Sequence, residues 1–217
     1  MQRTTPILLL VAPLLFSSVT GAQEAADTTA MVEEANRKLD EWIDNTNDFV
    51  GDVRIDAGDI ESFIEHYAEF SELGDEMDDD EEFVDYDEVL ADPRYRSFAA
   101  GHGLVAEPWL KKSMRIIALS MRGQMQAGLA QAEAQMPEQR RMIDEQCAQM
   151  GPEMCTQMKA SIEMSMAMFE HQKNRLGDLP EATASEQALL ERYAEEMASL
   201  MESGEEEWDE DEDEEEW

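Results

Sequence analysis

The sequence predicts an all-α protein, a helical bundle of about five to seven helices. Three observations carry this. Apolar residues recur at spacings of three and four almost throughout the chain, and no stretch alternates with the period of two that a strand requires. The breaks between periodic stretches are short and marked by Gly and Pro, and short connections favour antiparallel helix neighbours.

The first 22 residues are read as a separate element. Arg3, the apolar run from Ile7 to Phe16, and the small-residue stretch Ser17 to Ala22 follow the order of a secretory signal peptide cleaved after Ala22. The run is shorter than the roughly 20 apolar residues a spanning helix needs, and Pro13 interrupts it. No Cys stands at the cleavage site to take a lipid anchor. The expectation is a periplasmic or secreted protein without stable membrane insertion. It would have one helical domain over residues 23–204, an acidic insert or loop at 74–88, and a disordered acidic tail at 205–217.

Within that domain, Thr28 or Thr29 caps a first predicted helix with Val32, Ala35, Leu39, Ile43, Thr46 and Val50 on one stripe, and Gly51 ends it. Asp59 caps a second, with Ile60, Phe63, Ile64, Tyr67 and Phe70 as its apolar face and Gly74 just past its end. Phe83, Tyr86, Val89 and Leu90 give part of the acidic insert the means to dock as a short helix. Asp92-Pro93 has the cap-then-proline pattern of a helix start, and that helix reaches about Ala100 before the turn Gly101-His102-Gly103.

The longest predicted helix runs from Pro108 to about Gln135, with Leu110, Met114, Ile117, Met121 and Met125 on its stripe. Pro137 opens the next, to Met150, and Gly151-Pro152 breaks it before a further helix that stops at Gly177. A last helix spans Thr183 to Met201, with Leu189, Tyr193, Met197 and Leu200 near one side.

Charge bounds the choice of partners. The chain carries 52 acidic residues against 16 Lys and Arg, a formal charge of −36. Between His102 and Leu176, however, nine basic residues face eight acidic ones, so that stretch stands at +1. The negative charge is concentrated in Gly74–Glu88 and in Glu205–Trp217. Nucleic acid and anionic membrane surfaces would repel such a chain and are not expected partners. An as yet unidentified protein partner is.

Cys147 and Cys155 are the only cysteines, each four residues from Gly151. In one unbroken helix their α-carbons would lie about 12 Å apart, beyond the roughly 7 Å limit of a disulfide. With Gly151-Pro152 as the turn of a helical hairpin, they face each other, and an oxidising compartment favours the bond. The predicted role is that of a structural staple.

Methionines crowd the same region. Met164, Met168 and His171 fall at i, i+4 and i+7 of one helix face, a soft ligand set suited to Cu(I). Met is also an adaptable core filler and a residue of promiscuous binding surfaces, and that packing role competes with the copper reading. Calcium or another divalent cation is the ligand the acidic segments would hold. The nearest loop, around Asp52, Asp56, Gly58 and Ile60, fails the EF-hand register.

No zinc-protease, nucleophile-elbow or phosphate-loop motif occurs. The residues three before His66, His102 and His171 are Phe63, Ala99 and Met168, where a di-iron bundle would carry Glu. No catalytic residues are therefore expected. Met136-Pro137-Glu138-Gln139-Arg140 resembles, over those five residues and without the Thr, the L-T-x-x-Q element of the periplasmic Spy/CpxP-type helical stress proteins. That resemblance implies an exported all-helical protein with a chaperone-like or stress-related role. The functional expectation is a non-enzymatic protein mediating protein–protein interaction in the cell envelope. The alternative is metal binding, Cu(I) through Met and His or divalent cations through the acidic segments.

Overall fold

A computed structural model describes residues 22–77, 85–149 and 151–203. All the regular structure among them is helical. The helices are α1 (Ala22–Val50), α2 (Ala57–Met77), α3 (Tyr86–Ala91), α4 (Pro93–Gly101), α5 (Ala106–Cys147), α6 (Pro152–Leu176), α7 (Ala184–Arg192) and α8 (Ala194–Ser203). The proposed signal peptide up to Gly21, the acidic residues 78–84 and the tail from Gly204 lie outside the described residues. No described helix is long and apolar enough to cross a membrane.

The chain divides into two compact units, one built from Asp44–Ser120 with Pro180 onward, the other from the chain up to Ile43 with Met121–Leu179. The first, here the core unit, holds two apolar clusters. Val50, Tyr86, Tyr95, Phe98, Trp109 and Leu110 centre one, and Ile55, Ile60, Phe63, Ile116, Leu119, Tyr193 and Met197 the other. Each buried aromatic side chain of this kind contributes about 1.5–3 kcal/mol relative to exposure.

Local chemistry explains the helix ends. Gly51 follows α1 at φ 53°, a conformation that costs glycine nothing, and its N–H donates to the Asn47 carbonyl. The cap of α2 lies three residues before the expected Asp59. Asp56 Oδ1 accepts from the Asp59 N–H at 3.2 Å while Asp59 Oδ2 accepts from the Asp56 N–H at 2.9 Å, a reciprocal capping box. The helix also continues past Gly74 to Met77. Asp85 caps α3 and Asp92 caps α4 with Pro93 in its first turn. At the end of α4, Leu104 N–H bonds to Ala99 O at 2.8 Å and Gly103 N–H to Ala100 O at 3.2 Å. With Gly103 at φ 68° this is a Schellman motif that fixes His102 as the helix cap.

Two further boundaries differ from the sequence expectation. Pro137 stands inside α5 instead of opening a new helix. A proline there removes one backbone bond, yet both flanks are tied to α6: Glu133 meets Lys173 at 2.5 Å and Arg140 donates to the Met166 sulfur at 3.1 Å. The pairing on either side holds the helix through the gap. Conversely, the last predicted helix is interrupted at Tyr193, at φ −101° and ψ 12°. No Gly or Pro marks the spot. The hydroxyl of the buried Tyr193 donates to Glu61 at 2.5 Å, a tertiary demand that local sequence does not encode.

Candidate functional site

In the second unit, α5 and α6 form a helical hairpin around Gly151. Contacts run from Lys159–Asp144 at 3.7 Å near the turn to Lys173–Glu133 at 2.5 Å further along. Near the turn the Cys147–Cys155 disulfide joins the two helices, with α-carbons 4.9 Å apart. The helix α6 begins at Pro152 with Gly151 as its cap, so the Gly-Pro pair makes the turn that the bond requires.

The hairpin is thinly covered. From Met121 to Gln149 no residue is buried. Met142 is 46 % and Met154 58 % exposed, unusually open for large apolar side chains. Burial returns at the other end, where Ile43, Met168 and Leu179 are enclosed. There Asp40 of α1 forms an ion pair with Arg175, whose Nη2 donates to the Asp40 backbone carbonyl at 3.2 Å, and lies 3.0 Å from His171 Nε2.

These contacts place the candidate copper ligands. Met164, Met168 and His171 share one face of α6 by helical spacing. Met168 is buried, His171 is engaged with Asp40, and the Met164 side chain is outside the described residues. Nearer the turn, at the same spacing of four, Met154 is exposed and Met158 half-buried, while Met150 lies outside the described residues.

The core unit encloses an ion pair absent from the sequence expectations. Arg115 on α5 and Glu186 on α7 have side chains 2 % and 1 % exposed. The guanidinium donates through Nε at 2.6 Å and Nη2 at 2.9 Å. The same carboxylate accepts from the backbone N–H groups of Thr183 at 2.8 Å and Ile55 at 3.3 Å. Burial alone would raise the Glu186 carboxyl, but the Arg115 guanidinium and the Thr183 and Ile55 donors outweigh it and hold it at about 2. Every acceptor lone pair has a donor, which makes the pair a structural lock joining α5, α7 and the loop before α2. Two signals were legible, Thr-x-x-Glu at 183–186 and a lone Arg115 amid apolar neighbours.

Two open grooves mark the surface of this unit. One, of about 690 Å³, is lined by Asp48, Asp85, Asp87 and Glu107 around the stacked rings of Phe49 and Tyr86, whose centroids are 4.4 Å apart. Lys111 sits 5.3 Å over the Phe49 ring and pairs with Glu107 at 2.8 Å. Tyr86 is anchored from beneath by a buried hydrogen bond with Thr46 at 2.8 Å, and burial raises its phenol above the ordinary range.

The other groove, of about 530 Å³, is lined by Glu69, Glu72, Arg94, Phe98 and His102 among others. Beside it the rings of His66 and His102 lie 4.4 Å apart, and His102 Nε2 is 2.9 Å from Glu69 Oε2. Among the described residues no three His, Cys, Asp or Glu side chains form a group that could hold a metal ion.

No family model matches this sequence, and no curated protein or solved structure does either.

Proposed function

We propose that the protein is a non-enzymatic, exported binding protein of the cell envelope, whose α5–α6 hairpin engages other proteins in a chaperone-like or stress-related role. The observation that carries this reading is the stapled hairpin with Met142 and Met154 exposed on it. Thioether side chains are flexible and polarizable, and they adapt to varied apolar partners at little conformational cost. A two-helix hairpin lacks a core of its own, so its apolar stripe gains most by docking against a further surface. The acidic groove around Phe49 and Tyr86 offers a second contact region of opposite character, suited to basic segments.

Export rests on the signal-peptide pattern of residues 1 to 22 and fits the disulfide, because such bonds persist in oxidising compartments. The test is suppression of aggregation, followed by light scattering, of a thermally unfolding client protein. The wild-type protein should suppress it and a Met142→Glu, Met154→Glu double variant should not. Equal behaviour of the two, or no suppression by either, overturns the reading.

The second reading is Cu(I) held by Met168 and His171 on their shared face of α6, with Met164 one turn before. A Cu(I) titration against a chromophoric chelator decides it. Uptake that is lost in a Met168→Leu, His171→Ala variant supports copper, and unchanged uptake excludes this site.

A further inference from the structure

We propose that Met142, Met154 and Met166 of the hairpin are a modification site for peroxide-class oxidants, which convert them to sulfoxides and turn an apolar face polar. The regulatory consequence rests on the binding role proposed above, while the chemistry does not need it.

A reactive thiolate would take up such an oxidant first. The chain has two cysteines, however, and both are joined in the Cys147–Cys155 bond. The oxidant therefore meets thioethers, and these differ in access. Met114, Met168 and Met197 are 8 %, 7 % and 5 % exposed, against 46 % for Met142 and 58 % for Met154. Met154 directly precedes Cys155 on α6, and Met142 lies five residues before Cys147 on α5. The staple thus holds its end of the hairpin closed while the methionines beside it face solvent.

The step needs no cofactor. A lone pair on Sδ attacks one peroxide oxygen, the O–O bond breaks and an S–O bond forms. The departing hydroxide takes the proton left on the transferred oxygen and leaves as water. Sulfur has lost two electrons and the peroxide has gained them.

Met166 has a partner that favours the product. Arg140 Nη2 on α5 donates to its Sδ at 3.1 Å. A thioether is a weak acceptor, so a guanidinium gains little there. A sulfoxide oxygen accepts far better, and its bond to Arg140 is charge-assisted. The Arg140 side chain is exposed and has room to follow the new oxygen outward. Oxidation at Met166 ties α5 to α6 close to Pro137. At Met142 and Met154 it places a polar, chiral group where an adaptable apolar one stood, which weakens contact with apolar partners.

The test treats the full chain, disulfide intact, with graded hydrogen peroxide and follows each methionine by peptide mass spectrometry. Met142 and Met154 should gain oxygen about tenfold faster than Met114, Met168 and Met197, in line with their exposure. Proton–nitrogen NMR should show the Arg140 side-chain signals moving as Met166 is oxidised, and Met166→Leu, a volume-conserving change, should abolish that movement. Aggregation suppression should fall as the Met142 and Met154 sulfoxides accumulate, and a Met142→Leu, Met154→Leu variant should keep it under peroxide. Equal rates at all methionines, an Arg140 shift that survives Met166→Leu, or suppression undiminished at complete oxidation overturns the proposal. Suppression already absent before oxidation fails the binding role instead, because the oxidation map requires no client.

Discussion

Replacing Glu186 by Gln removes the negative half of the buried lock while keeping its shape. In the folded protein this carboxyl titrates at about 2 against an ordinary 4.5, which corresponds to about 3 kcal/mol of stabilisation at neutral pH, or about 2–3 after screening. Leaving one partner of a buried ion pair alone costs about 3–5 kcal/mol by a separate route. The two ranges meet near 3 kcal/mol, the expected loss for Glu186→Gln in urea unfolding followed by circular dichroism at pH 7. The sign of the pH dependence follows from a folded value that lies below the unfolded one. The stabilisation is fully present above 4.5 and drains away as pH falls toward 2. At pH 3 about 1 kcal/mol of it remains, so the gap between wild type and variant should narrow to less than half. Comparing the two chains cancels the titration of all other acids. A gap that is the same at pH 7 and pH 3, or no gap at all, would refute the assignment of Glu186 as an ionised, fully bonded carboxylate.

Other perturbations have equally definite outcomes. Tyr86→Phe leaves Thr46 buried without its partner and should lower urea stability by about 1–2 kcal/mol. Thr183→Ala breaks the capping box of α7 and should cost about 1 kcal/mol by the same assay. Pro137→Ala restores a backbone bond inside α5 and should stabilise it by up to about 3 kcal/mol, seen as slower amide exchange around residue 137. Reducing the Cys147–Cys155 bond closes out a short-loop constraint of roughly 2–3 kcal/mol, and faster exchange near the hairpin turn should report its loss.

The helical stripes were the most legible part of the sequence, because periodicity reports burial directly. Ile43, Thr46 and Val50 on α1, Ile60 and Phe63 on α2, Tyr193 just before α8 and Met197 within it are all buried where their spacing put them. The disulfide was legible too, since a Gly-Pro turn midway between two cysteines leaves one geometry that brings them together. Pairings distant in sequence were not. Nothing local pairs Arg115 with Glu186, and only the fold shows that Ile55, Thr183 and Arg115 converge on one carboxylate. A di-iron bundle carries Glu three residues before His. The chain instead carries His66 three residues before Glu69, and the contacts of both with His102 come from another element. The breaks misplaced at Pro137 and Tyr193 have the same origin, local signals outweighed by contacts far along the chain.

The hairpin is clipped at both ends. Cys147–Cys155 closes it beside the turn, and at its base Arg122 donates to the Leu179 carbonyl while Arg175 grips Asp40 and Asp178. A helix pair free at its tip unzips from that tip, whereas one fastened at both ends can open only as a bubble in between. Between the two clips a backbone hydrogen bond is missing at Pro137, where the flanking Glu133–Lys173 and Arg140–Met166 contacts hold the pair. Under oxidising conditions the flickering part of the hairpin is therefore its middle, and the exposed Met142 lies five residues from that gap. Reduction would move the first opening to the turn, so one covalent bond decides which stretch of apolar side chains the hairpin offers first.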